Sequence, residues 1–197
     1  SGGAMALAPE TRNAEAILQA WYGGESAGQA VADVLFGDYN PGGKLPVTFY
    51  ASDKDLPDFE DYHMTGRTYR YFKGKPLFPF GYGLSYTTFK YDTPTYQNGE
   101  LKVRVSNSGK YDGDEVVQIY IKNPNDPEGP IKALKGFKRV SVKAGASEKV
   151  SIELDQKAFY SFSDATQTLE VKPGSYKILY GGSSADSALQ GIDLKIE

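Results

Sequence analysis

The pattern of apolar and polar positions changes period near residue 90, from helix-like and irregular to a sustained alternation of two. In the first stretch Ala27, Ala30, Val31, Val34 and Leu35 fall at i, i+3, i+4, i+7 and i+8, one face of an α-helix. Ser26 and Gln29 have the spacing of a capping box at its start, and Gly37 is placed to end it in the left-handed conformation. Residues 14–22 before it are short and apolar, a length at which strand and helix share one pattern, and they are read as a strand. After the turn Asn40-Pro41-Gly42-Gly43, Leu45, Val47 and Phe49 alternate with Pro46 and Thr48 as a half-buried strand would. Residues 1–90 thus predict a strand–helix–strand unit of α/β type. Residues 51–90 have little period but many aromatics, among them Tyr69, Tyr71, Phe72, Phe78, Phe80, Tyr82, Tyr86 and Phe89. So aromatic a loop is expected to lie against a neighbouring surface, because each buried ring removes a large apolar area from water.

Beyond residue 90, Leu101, Val103 and Val105 alternate with Lys102, Arg104 and Ser106, and Val117, Ile119 and Ile121 with Gln118 and Tyr120. Val150, Ile152 and Leu154, then Tyr176, Ile178 and Tyr180, then Ile192, Leu194 and Ile196 continue the pattern. Turn signals such as Asn107-Ser108-Gly109, Ala144-Gly145 and Pro173-Gly174 separate the runs. Short strands at this spacing over residues 91–197 predict an antiparallel β-sandwich of immunoglobulin-like type. The first half reads as incomplete beside it: one α/β unit cannot cover both faces of a parallel sheet.

Composition narrows the function. Charged residues make up 24% and the formal net charge is −3, which offers no basic surface for nucleic acid or an anionic membrane. No apolar run approaches the ~18 residues of a membrane span. Without cysteine there is no thiolate nucleophile or cysteine metal site, and His63 is the only histidine, so a multi-histidine site is excluded and no cofactor is called for. Asp53, Asp55, Asp58, Glu60 and Asp61 form an acidic run, but Pro57 interrupts it and a calcium loop's ligand spacing is missing; a solvated loop is the favoured reading.

Several runs of the sequence resemble family 3 glycoside hydrolases. Residues 16–25 (AILQAWYGGE), 32–49 (ADVLFGDYNPGGKLPVTF), 66–72 (GRTYRYF) and 76–89 (PLFPFGYGLSYTTF) are similar to the end of that family's α/β-sandwich domain. Residues 106–109 (SNSG), 113–120 (GDEVVQIY) and 134–137 (LKGF) are similar to its fibronectin type III-like domain. The resemblance covers nearly the whole chain in family order. It implies a C-terminal piece of a retaining exo-acting β-glycosidase, of β-glucosidase or β-xylosidase type, with residues 1–90 and 91–197 as its two units. It also suggests a periplasmic or secreted setting. Such enzymes use two carboxylates about 5–5.5 Å apart. In this family both precede the region matched, so no catalytic residue is assigned, and a β-linked glycoside and an upstream catalytic polypeptide are the implied partners.

Substrate-binding candidates are Trp21, Glu25 and Arg67. Glu25 stands at a strand-to-helix turn of the kind that opens into ligand crevices; since the family pattern admits glutamine there, hydrogen bonding is favoured over acid chemistry. Trp21 could stack on a sugar ring, with packing at a strand end as the plainer reading. Arg67 and Arg70 could reach substrate, with structural pairing favoured. The aromatic loop is expected to leave apolar surface exposed, to be met by the upstream polypeptide or by a second copy of the chain in a homo-oligomer. The rival reading, a stand-alone carbohydrate-binding or adhesion module, calls for an exposed aromatic row on one sandwich face. Tyr120 lies on a different strand from Tyr176 and Tyr180, and the three read instead as core.

Overall fold

Alternation of apolar side chains folds the second half into two sheets around one core. The computed structural model describes residues 1–7, 11, 13–163 and 165–197. In the first sheet β3 (Glu100–Asn107) is central. β6 (Ser147–Glu153) runs antiparallel along one edge of it, setting Leu101 opposite Ile152 and Val103 opposite Val150. Along the other edge lie β1 (Phe89–Tyr91) and β2 (Thr95–Gln97) in succession. Pro94 falls between them, where an edge tolerates a residue without an N–H. The second sheet has the order β10 (Leu189–Ile196), β9 (Gly174–Gly181), β4 (Gly113–Lys122), β5 (Ala133–Val142). A small hairpin, β7 (Ser161–Ser163) and β8 (Thr168–Glu170), stands apart.

Leu101, Val105, Val117, Ile119, Tyr176 and Ile178 are among the buried side chains that fill the space between the sheets, and Phe159 meets Tyr176 edge to face. Burial of these inward positions is the main favourable term for the sandwich. β5 departs from alternation. Rich in Lys135, Lys138 and Arg139, it forms a charged sheet edge of the kind that resists pairing with another chain. Its register with β4 shifts between Ile119 and Tyr120.

In the first half the helix forms as predicted, as α1 (Ala27–Phe36), and Gly37 closes it at φ 87°. The capping box does not form. Ser26 has φ −90° and ψ 14°, outside the extended conformation that aims a cap side chain at the helix amides, and Gln29 instead donates to Asp33 one turn on. The two flanking segments also differ from expectation. Residues 14–22 form no strand, because no described strand stands beside them to complete a ladder. Residues 45–49 make backbone bonds to 77–82 but only one regular bridge, Phe49 to Phe78. No residue of α1 is buried, and Leu35 and Phe36 are 65% and 84% exposed.

Candidate functional site

Chemistry and architecture meet at the seam where residues 39–86 lie on the outer face of β4. There the alternation rule fails: Gln118 and Tyr120, at positions that should face solvent, are as buried as Val117 and Ile119. The aromatic loop covers them. Its four-residue helix α2 (Thr68–Tyr71) brings Tyr69 into a stack with Phe80, ring centroids 4.3 Å apart, and both rings meet Tyr120 edge-on. The Tyr69 hydroxyl accepts the Leu134 N–H at 2.9 Å. The Gln118 amide donates to the carbonyls of Gly81 and Gly182 at 3.1 and 2.6 Å, and accepts from the Tyr120 hydroxyl. Gly81 is held at φ 77°, where a Cβ would run into the Gln118 side chain.

A polar patch continues the seam. Asn40 donates to the Asp112 carbonyl and accepts from Ser85 and the Tyr86 N–H, spending its amide on two segments. Arg139 bonds both Asp114 and the Tyr39 hydroxyl. Deeper in, Lys44 Nζ lies 3.3 Å from Glu115 Oε1, with both side chains almost wholly enclosed. Burial pushes the Glu115 carboxyl above its ordinary range, and Lys44 pulls it back. Asp114 is lowered, first by its hydrogen bond from Ser141 and then, against the opposing effect of burial, by Arg139.

The sequence candidates lie to one side of this seam. Trp21 stands at φ 55°, unusual for a bulky residue, and meets Phe49 edge-on at 6.4 Å. Thr68, at φ 56°, donates its N–H to the Tyr50 hydroxyl at 2.6 Å. Two residues in the left-handed region thus rest on the adjacent pair Phe49 and Tyr50. Arg67 folds the acidic loop: its guanidinium donates to the carbonyls of Asp58, Asp61 and His63. Asp61 takes the His63 N–H and ring nitrogen, the first of which holds its carboxyl below the ordinary value. Asp55 and Asp58 likewise accept nearby backbone N–H groups, and among the described residues no three acidic or histidine side chains gather as metal ligands. Glu25 is exposed and makes no hydrogen bond or ion pair within the described chain. Trp21 and Thr68, the neighbour of Arg67, thus meet one aromatic pair, and Glu25 stands free of described partners just before α1.

Comparison with known proteins fits both halves. Residues 1–86 match the glycosyl hydrolase family 3 C-terminal domain and residues 115–184 a fibronectin type III-like domain. The chain belongs to glycoside hydrolase family 3. It is 50% identical over its whole length to a xylan 1,4-beta-xylosidase of Xylanibacter ruminicola, covering 23% of that protein. It is 39% identical to a periplasmic beta-glucosidase of Salmonella typhimurium, over 94% of this chain and 27% of that one. Among solved structures, a beta-glucosidase from Kluyveromyces marxianus superposes with a TM-score of 0.86 at 35% identity, over 96% of this chain and 25% of that one. A beta-D-glucoside glucohydrolase from Trichoderma reesei superposes with a TM-score of 0.89 at 26% identity, over 99% of this chain and 32% of that one. The chain thus spans about a quarter of the length of these curated family 3 relatives.

The seam was the part that sequence reasoning missed. Lys44, Glu115, Gln118 and Tyr69 all lie in the family 3 runs, but alternation alone assigns Gln118 to solvent, whereas Tyr120, read as core, is buried. A signal was present in the eight nearby aromatics, which need a surface to cover.

Proposed function

We propose that this chain is the bracing C-terminal part of a retaining exo-acting β-glycosidase that removes terminal xylose or glucose from β-linked saccharides. The nucleophile and the acid/base carboxylate belong to upstream polypeptide, and the chain alone is inactive. Higher identity to a named xylosidase than to a named glucosidase favours the xyloside. Residues 1–90 are the unit that docks, and residues 91–197 the sandwich that stiffens it.

The observation that carries this reading is uncovered surface. A compact monomer of 21.5 kDa exposes about 9,200 Å², whereas this chain exposes 12552 Å². The difference, roughly 3,400 Å² on this one partner, is more than a standard interface of about 800 Å² per partner would cover. Its apolar share is divided between α1 with the segment before it and the first part of residues 51–90. Phe80 and Tyr82, expected at an outer interface, stack instead within the chain on Tyr69 and Phe78. Exposure concentrates at Tyr22, Leu35, Phe36, Phe59 and Tyr62. A helix with an apolar face and no cover is a docking face, and upstream polypeptide is the occupant that the relatives' greater length supports. On this reading Trp21, Glu25 and Arg67 lie on the docking side and reach substrate only in the assembled enzyme.

The test is reconstitution. Upstream polypeptide mixed with this chain should release nitrophenol from the aryl β-xyloside, and the chain alone should not. Turnover by the chain alone that Glu25→Gln abolishes would overturn the proposal and make Glu25 catalytic.

A further inference from the structure

A second feature adjoins the docking face at the end of α1. Where the end of α1 meets the turn between β3 and β4, a cleft of about 600 Å³ opens, lined by Phe36, Asp38, Asn40, Tyr86, Tyr111 and Asp112. Its size is ordinary for a ligand cleft, about 300–1,000 Å³. Both halves of the chain build it, and hydrogen bonds of the seam cross its base. The Tyr86 hydroxyl donates to the Val34 carbonyl at 2.6 Å and its N–H to Asn40. Asp112 is fixed through one carboxylate oxygen by the Ala144 N–H at 2.8 Å. Three aromatic side chains nevertheless remain open: Phe36, Tyr86 and Tyr111 are 84%, 47% and 62% exposed.

The polar lining narrows the ligand. Asn40 is spent within the chain. The Asp38 carboxylate and the second oxygen of Asp112 take no hydrogen bond from the described residues. The groups left to a ligand are thus aromatic faces and carboxylate acceptors. Carboxylates repel phosphate and other anions. A pyranose ring complements both features, since its C–H face packs on an aromatic ring and its hydroxyls donate to carboxylates. We infer that this cleft is an accessory binding site for a neutral β-linked oligosaccharide, holding a length of substrate away from the reacting end. The inference rests on the proposed glycosidase reading for its choice of sugar.

Titration calorimetry of this chain with xylohexaose and with cellohexaose tests it. One of the two should bind saturably, and Phe36→Ala and Tyr111→Ala should each weaken binding roughly tenfold, the loss of about 1.4 kcal/mol of contact. Both side chains are exposed, so circular dichroism and unfolding midpoints should match the parent chain. Absence of binding by the unaltered chain, or binding that neither variant changes, overturns the inference. So does a result in which the variants weaken only association with upstream polypeptide, which would make the cleft a protein contact. Reconstituted hydrolysis of an aryl β-xyloside should be unchanged in Tyr111→Ala, whose side chain lies on the sandwich turn and not on the docking face. Its failure in the unaltered enzyme would count against the glycosidase reading and not against the cleft.

Discussion

Gly81 carries more of the seam than its size suggests. Its φ of 77° and the Gln118 side chain that fills the space where a Cβ would stand exclude any other residue without rearrangement. Gly81→Ala should destabilise the chain by about 2–4 kcal/mol, from left-handed strain and displaced Gln118 hydrogen bonds. Urea unfolding with an unchanged m-value checks this. The Lys44–Glu115 pair makes a separate prediction. Lys44→Met alone leaves Glu115 enclosed without its cation and should cost about 3 kcal/mol or more, while adding Glu115→Gln should restore much of the loss. The pH dependence follows from the direction of the shift. Folding raises the Glu115 pKa, so its stabilising contribution is fullest below the ordinary carboxylate value and falls as pH rises through the folded value. The unaltered chain should therefore gain stability relative to the double variant as pH drops from neutral to mildly acidic. Asp114, whose pKa is lowered, works in the opposite sense and loses its contribution as pH falls through the folded value.

At the scale of elements, the sandwich and α1 were legible because each follows one period. Val103 and Val150, predicted inward from alternation alone, pair directly across β3 and β6. The elements that were misread depend on something beyond local pattern. Residues 14–22 have the composition of a strand but no neighbouring edge, and a ladder needs two partners. β5 escaped because its burial follows the charged edge it forms and not alternation. Trp21, Glu25 and Arg67 could be chosen by residue type, but the left-handed backbone at Trp21 and Thr68 and the engagement of Arg67 with three carbonyls have no signature in sequence. The aromatic loop was read correctly as packing on a surface, yet that surface is the chain's own β4. Tyr69→Ala should thus destabilise the whole chain, toward the lower end of the ~3–5 kcal/mol of a fully enclosed ring. Residues 87–197, which keep β1, should still unfold cooperatively but at a lower urea midpoint, since they expose Tyr120 and leave Gln118 without Gly81. A shared midpoint for this segment and the whole chain would show that the loop contributes nothing to the sandwich.

For the molecule as a whole, the seam packs residues 39–86 on the sandwich and leaves Leu35 and Phe36 of α1 exposed. If that surface docks on catalytic polypeptide, a charge placed there should act on assembly and not on the fold. Leu35 is 65% exposed, so Leu35→Asp should leave the unfolding midpoint of the chain nearly unchanged while weakening the complex more than tenfold. Sedimentation velocity of the chain with and without upstream polypeptide, with aryl β-xyloside hydrolysis followed in the same samples, is the most direct measurement. An equimolar complex that hydrolyses the substrate, and that Leu35→Asp disrupts, is the result expected. A chain that sediments as a monomer whether or not upstream polypeptide is present, or that turns over the substrate alone, would contradict a bracing role.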